Sequence, residues 1–321
     1  MESEPLLQAS DVGIELLGFV ASFLLLGAVG FRFAVLRSGV ASASEATTAR
    51  AASRAAAVGL AGAALGIVAL LLVLGDRAEA KHVTLLDAAR AGGAQVMVQA
   101  SSLVVLGVAL VVCWRVTPRA WSVVLVAAVA FALRGATRGK WSAMVNPLHV
   151  LGGSLWIGTL FVLVVCGIAP LIGDREVERG HEGEGDRGAR RERATAEMVH
   201  RFSGLALASA ALLGATGIVT AWTHLKYVAA LWTTPYGYAL LAKLAVVAVV
   251  VALGAWNWRR VRPALGSDGG ARTLRRTAVS ELVAAGVVLV LTAVLVSLPS
   301  PTLPALSAPP SSGPPPAASP P

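Results

Sequence analysis

Eight stretches of predominantly apolar residues run the length of this sequence. They cover 12–36, 54–75, 94–114, 119–134, 145–172, 200–222, 236–258 and 278–298, with charged or Gly- and Pro-containing segments between most of them. A helix needs roughly 20 residues to cross about 30 Å of hydrocarbon, and most of the stretches reach that length. Lipid offers no partner to a backbone N–H or C=O, so such stretches must satisfy their own hydrogen bonds as helices. The pattern predicts an all-α polytopic membrane bundle of about eight transmembrane helices. Composition agrees: 56% of the residues are hydrophobic and only 14% charged, against roughly a quarter charged in soluble proteins. A single water-soluble core is excluded.

Basic residues orient the bundle. With the N-terminus outside, the inner flanks are 32–54, 115–119, 173–201 and 259–276. They hold 19 of the Arg and Lys residues, and the outer segments hold 7. The positive-inside rule then predicts that both ends lie on the outer side. Tryptophan gives an independent reading. Trp114, Trp121, Trp256 and Trp258 fall at inner ends, and Trp141, Trp222 and Trp232 at outer ends, as an interfacial belt requires; Trp156 is the exception, well inside the fifth stretch.

The same count explains the formal net charge of +9. No nucleic-acid-binding module stands between the apolar stretches, so nucleic acid is not expected as a partner. Cys113 and Cys166 lie within apolar stretches and read as small buried hydrophobes. Residues 173–199 mix charge with Gly and read as a solvated loop. Residues 299–321 form a Pro-rich tail read as disordered. The first stretch reads as an uncleaved helix. Met1-Glu2-Ser3-Glu4 is acidic, and the apolar run exceeds the roughly 7–15 residues of a signal peptide, although Ala41-Ser42-Ala43 has the small residues of a cleavage site. Walker A, HExxH and GxSxG motifs are all absent, and the chain is not read as an enzyme.

Ionisable residues inside a membrane are costly and mark function by default. The topology sorts them by depth. An outer group comprises Glu15, Gln95, Met97, Gln99, Met144, His149, His224, Tyr236, Tyr238 and Lys243, with His82 in a nearby loop. Thioether suits Cu(I), and imidazole accepts either copper oxidation state. Met144 and His149 flank Pro147, which is expected to let both point at one metal site, with His224 or His82 as further ligands. An inner group comprises His200, Arg201, Asn257 and Glu281, read as a structural clamp between helices or as an inner cation site. Lys243 and Glu281 lie on the order of 15 Å apart along the membrane normal, too far to pair.

Five segments occur in order through the second half of the sequence. They are His149-Val-Leu-Gly-Gly-Ser-Leu-Trp156-Ile-Gly158, Arg201-Phe-Ser-Gly-Leu-Ala, Thr234-Pro-Tyr236-Gly237-Tyr-Ala-Leu-Leu-Ala-Lys243-Leu, Gly254-Ala-Trp-Asn257-Trp-Arg-Arg and Arg275-Arg-Thr-Ala-Val-Ser-Glu281-Leu. The set resembles the copper-resistance protein D family over about residues 145–298. This divides the chain into residues 1–144, a four-helix membrane half, and 145–298, a four-helix domain similar to that family. The resemblance implies a bacterial inner-membrane protein that moves copper inward from the periplasmic side. It makes His149 the counterpart of the family's histidine, and Lys243 and Glu281 the counterparts of its lysine and glutamate. It also implies a periplasmic copper chaperone as partner.

The leading expectation is therefore copper transport or homeostasis. Copper is received near His149 and passed through the last four helices, downhill or coupled to another gradient, since no ATP site is present. A second reading is a cytochrome b-like protein holding haem. Bis-histidine ligation needs two His at one depth, and His149 and His200 lie at opposite ends. A third is an assembly subunit of a respiratory membrane complex.

Overall fold

The computed structural model describes residues 9–37, 39–134, 142–170, 184–224, 229–256, 259 and 270–298. No strand occurs among them. Helix α1 (Ala9–Gly30) continues into a π-helical turn, Phe31–Leu36. It is followed by α2 (Glu45–Lys81), α3 (Leu85–Ala91), α4 (Gly93–Arg115) and α5 (Trp121–Ala132). Helix α6 (Ser142–Gly153) runs through a π turn (Ser154–Gly158), α7 (Thr159–Val162) and a further π turn (Leu163–Ile168). Then come α8 (Glu184–His224), α9 (Ala230–Thr233), α10 (Pro235–Trp256) and α11 (Gly270–Ser297).

Seven of these helical runs are long and apolar enough to cross a membrane. The fourth apolar stretch is the exception. Its helix, α5, has 12 residues and spans about 18 Å. At the other extreme, α2 has 37 residues and α8 has 41, so both extend well past the hydrocarbon thickness. The start of α8 corrects the sequence reading of 173–199 as a loop. From Glu184 onward that segment is helical, because its Ala, Arg and Glu residues are strong helix formers that tolerate water.

Helix ends follow local chemistry. Ser44 caps α2, its hydroxyl accepting from the Thr47 N–H at 3.2 Å. Thr84 caps α3, accepting from the Asp87 N–H at 3.2 Å and donating to its carboxylate at 2.7 Å. His82 ends α2 in the left-handed conformation at φ 52°. Its N–H donates to Glu79 and that of Val83 to Ala78, which closes a Schellman motif.

Helix α1 is the hub. It packs against α2, α5, α6, α7 and α11, so it touches both halves expected from the sequence. One buried cluster joins Leu25 and Leu26 of α1 to α2, α4 and α5 through Leu70, Leu103, Leu106 and Phe131. A second surrounds Phe31 and Val35 with Leu160, Leu163, Met198 and Phe202.

Two crossings are made by glycine. A Cβ on Gly27 would strike the backbone of Gly158, and a Cβ on Gly158 would strike the carbonyl oxygen of Phe23. At the same crossing, the buried Thr159 hydroxyl donates to the Gly27 carbonyl at 3.4 Å. A Cβ on Gly62 of α2 would lie 2.7 Å from the Leu25 nitrogen. Gly152, Gly153 and Ser154 are buried as expected from their size. The other small-residue run, Gly204, Ala208 and Ala211 of α8, is exposed, and nothing lies within 4 Å of a Cβ on Gly204. Gly204→Ala is accordingly expected to leave thermal stability in detergent unchanged or raised, by up to about 1 kcal/mol from helix propensity.

Large apolar side chains such as Leu207, Ile218, Trp222 and Val283 are exposed and form the lipid-facing surface. Trp114, Trp222, Trp232 and Trp256 are exposed near helix ends, as a belt requires. Trp121 is not: it is 3% exposed and packs edge-on against Phe33 at 6.2 Å.

Candidate functional site

The α6–α8 crossing places His149. Gly152 on α6 meets Leu213 and the Ser209 carbonyl of α8, and Gly217 on α8 faces the imidazole, where a Cβ would lie 3.3 Å from Cε1. With side chains absent on both helices, the ring lies against the α8 backbone. His149 Nδ1 is 3.0 Å from the Thr216 hydroxyl. That hydroxyl has one proton and donates it to the Leu212 carbonyl at 2.6 Å. It therefore accepts from Nδ1–H. Protonation at Nδ1 leaves the Nε2 lone pair available to a ligand. Lys243 lies on α10.

Met144 does not join His149. Pro147 lies inside α6 and the helix runs through it, so side chains five residues apart leave the axis roughly 140° apart. His82 is an exposed helix-ending residue. His224 is the last residue of α8, and its side chain lies outside the described residues. Among the described residues no group of three or more His, Cys, Asp or Glu side chains is placed to hold a metal. Nor is a second imidazole paired with His149 there, so a bis-histidine haem site finds no support.

A cavity of about 620 Å³ opens at the end of the bundle that holds the start of α1. Glu15, Arg77, Gln95, Gln99, Arg134 and Asn146 contribute its polar lining. Glu15, Gln95 and Gln99 thus line one cavity. Asn146 escaped the sequence reading although it lies one turn before His149. Neither His149 nor Met144 lines the cavity, and Met97 is 62% exposed on the outside of α4. Tyr236 is buried, while Tyr238 is exposed and donates to the Trp232 carbonyl at 2.6 Å.

The opposite end is organised by Arg201. Its Nη1 donates to the carbonyls of Val35 at 3.0 Å, Leu36 at 3.5 Å and Gly39 at 2.8 Å, and its Nη2 to Glu197 at 2.5 Å. Glu197 in turn accepts from the Ala41 and Ser42 N–H groups. Arg201 and Glu197 therefore tie α8 to the α1–α2 connection, a different junction from the clamp among the last three helices expected from the sequence. Glu197 was missed in the sequence, though its i,i+4 spacing to Arg201 is the standard helical ion-pair spacing. Glu281, on α11, is buried at 6% exposed, His200 is exposed at the helix surface, and Asn257 lies outside the described residues.

These features define a multi-pass α-helical membrane protein. Its C-terminal region is similar to a known family: the model described as Copper resistance protein D matches residues 196–295. The matched segment runs from within α8 through α9 and α10 to near the end of α11. It contains Thr216, the partner of His149, and Lys243, and associates the chain with copper resistance. No curated protein and no solved structure matches the chain.

Proposed function

We propose that this chain handles copper in the bacterial inner membrane, with both ends on the periplasmic side and His149 as a transfer point for the ion. The observation that carries the reading is the Thr216–His149 pair. Thr216 belongs to the segment similar to the copper-resistance family, and it fixes the imidazole with Nε2 available as a ligand. A single imidazole is suited to passing an ion rather than storing it, since stable sites use several ligands. A periplasmic copper chaperone would deliver the ion, and the inner polar group around His200, Asn257 and Glu281 would receive it.

In cells expressing the protein, His149→Ala is expected to lower copper accumulation to the level of cells without it. Thr216→Val is expected to lower it severalfold, because a ring without its partner loses its tautomer and orientation. Cell-associated copper, measured by mass spectrometry at matched protein levels, checks both. Accumulation in His149→Ala equal to wild type rules out the role of His149.

A further inference from the structure

A second cavity, of about 720 Å³, lies at the end of the bundle opposite Glu15. It sits between the start of α2, the 40–44 connection and the first turns of α8. Five arginines line it: Arg50, Arg54, Arg190, Arg191 and Arg193, of which Arg190 and Arg191 have interactions of their own. No carboxylate is among the described lining residues. The nearby Glu197 is already engaged by Arg201 and two backbone N–H groups. Arg50, Arg54 and Arg193 make no hydrogen bond or ion pair among the described residues.

The floor beneath them is apolar. Leu36, Val40, Cys166, Ala194 and Met198 are each no more than 4% exposed. Like charges converging on one space repel, and a multivalent oxyanion relieves that repulsion while accepting charge-assisted, bidentate hydrogen bonds. Guanidinium matches phosphate oxygens in this way, whereas a carboxylate-poor, cation-rich cavity rejects a metal ion.

We propose that the arginine-lined cavity between α2 and α8 binds a phosphate group. A phospholipid headgroup and a free phosphate share that chemistry. The cavity does not include His149, so the proposal stands independently of the copper reading.

The test uses the full-length protein purified in a neutral detergent. It is titrated in separate arms with short-chain phosphatidylglycerol, with short-chain phosphatidylcholine and with inorganic phosphate. Phosphatidylglycerol is expected to bind more tightly than phosphatidylcholine and to weaken with salt. Removal of Arg50, Arg54 or Arg193 is each expected to weaken it about fivefold, and R50Q/R54Q/R193Q on the order of 100-fold. The pair R115Q/R119Q, which removes basic charge at the same end but outside the cavity, is expected to change it less than twofold. Inorganic phosphate binding with the same arginine dependence assigns the site to the free anion, and its failure to bind assigns the site to the lipid headgroup. Should the triple variant not fold, R193Q alone is read for its fivefold loss. The proposal is overturned if neither phosphatidylglycerol nor phosphate binds above phosphatidylcholine, or if R115Q/R119Q weakens binding as much as the cavity variants.

Discussion

Gly158→Leu is expected to destabilise the protein by on the order of 3 kcal/mol or more, and to yield mostly aggregated material on detergent extraction. The reason is backbone contact. A Cβ at Gly158 meets the Phe23 carbonyl, and Gly27 meets Gly158 itself. No side chain can rotate out of the way, so the helices must separate. Separation would also break the buried Thr159–Gly27 hydrogen bond and open the second hydrophobic cluster, which depends on Phe31 facing Leu163 and Met198. In lipid no hydrophobic driving force returns the helices to contact, so packing lost at such a crossing is not recovered elsewhere. Size-exclusion profiles and thermal aggregation curves in detergent check the outcome. Gly204→Leu is the control, because its side chain enters open space on α8, and it is expected to behave as wild type.

Arg201→Ala is the second large effect, expected to cost about 2–4 kcal/mol. The guanidinium is 23% exposed and Glu197 22%, so the pair is mostly shielded from water. Truncation leaves the Val35 and Gly39 carbonyls without the Arg201 donor at the end of the first helix, where a cation is also favoured by the helix dipole; the Leu36 carbonyl keeps the Gly39 N–H. It also leaves Glu197 without its counter-charge. Arg201→Lys is expected to recover less than half of the loss, since one compact ammonium cannot serve three carbonyls and a carboxylate together. The local signature is trypsin cleavage after the exposed Arg37, expected to rise at least tenfold in Arg201→Ala. Cleavage at wild-type rate with an unchanged melting temperature would show that the clamp is dispensable.

The sequence was informative about these sites to different degrees. Arg201 was legible as an inner-end residue from its position at the start of an apolar stretch, and a clamp was one of two readings offered for its group. Its partners were not legible, because three of them are main-chain carbonyls more than 160 residues away and carry no residue-type signal. His149 was picked out as an imidazole in an apolar stretch. Its partner Thr216 gave no signal, since a threonine in a membrane helix ordinarily bonds its own backbone, which Thr216 also does. Met144 was grouped with His149 by proximity in sequence. The unbroken passage of α6 through Pro147 separates them.

The sequence alone determined that the chain crosses a membrane repeatedly, and which polar residues share an end. Apolar length fixes the spans, and alternation of direction fixes the ends. The convergence of Glu15, Gln95 and Gln99 on one cavity, and of Arg50, Arg54 and Arg193 on the other, follows that alternation. Only the tertiary structure decided which face of each helix meets another helix. In a soluble protein the polar face marks the outside, but here both the packed face and the lipid face are apolar, so hydropathy carries no record of the difference. Gly158 and Gly204 show the consequence. They are the same residue in similar surroundings of sequence, yet one lies against the backbone of α1 and the other faces open space.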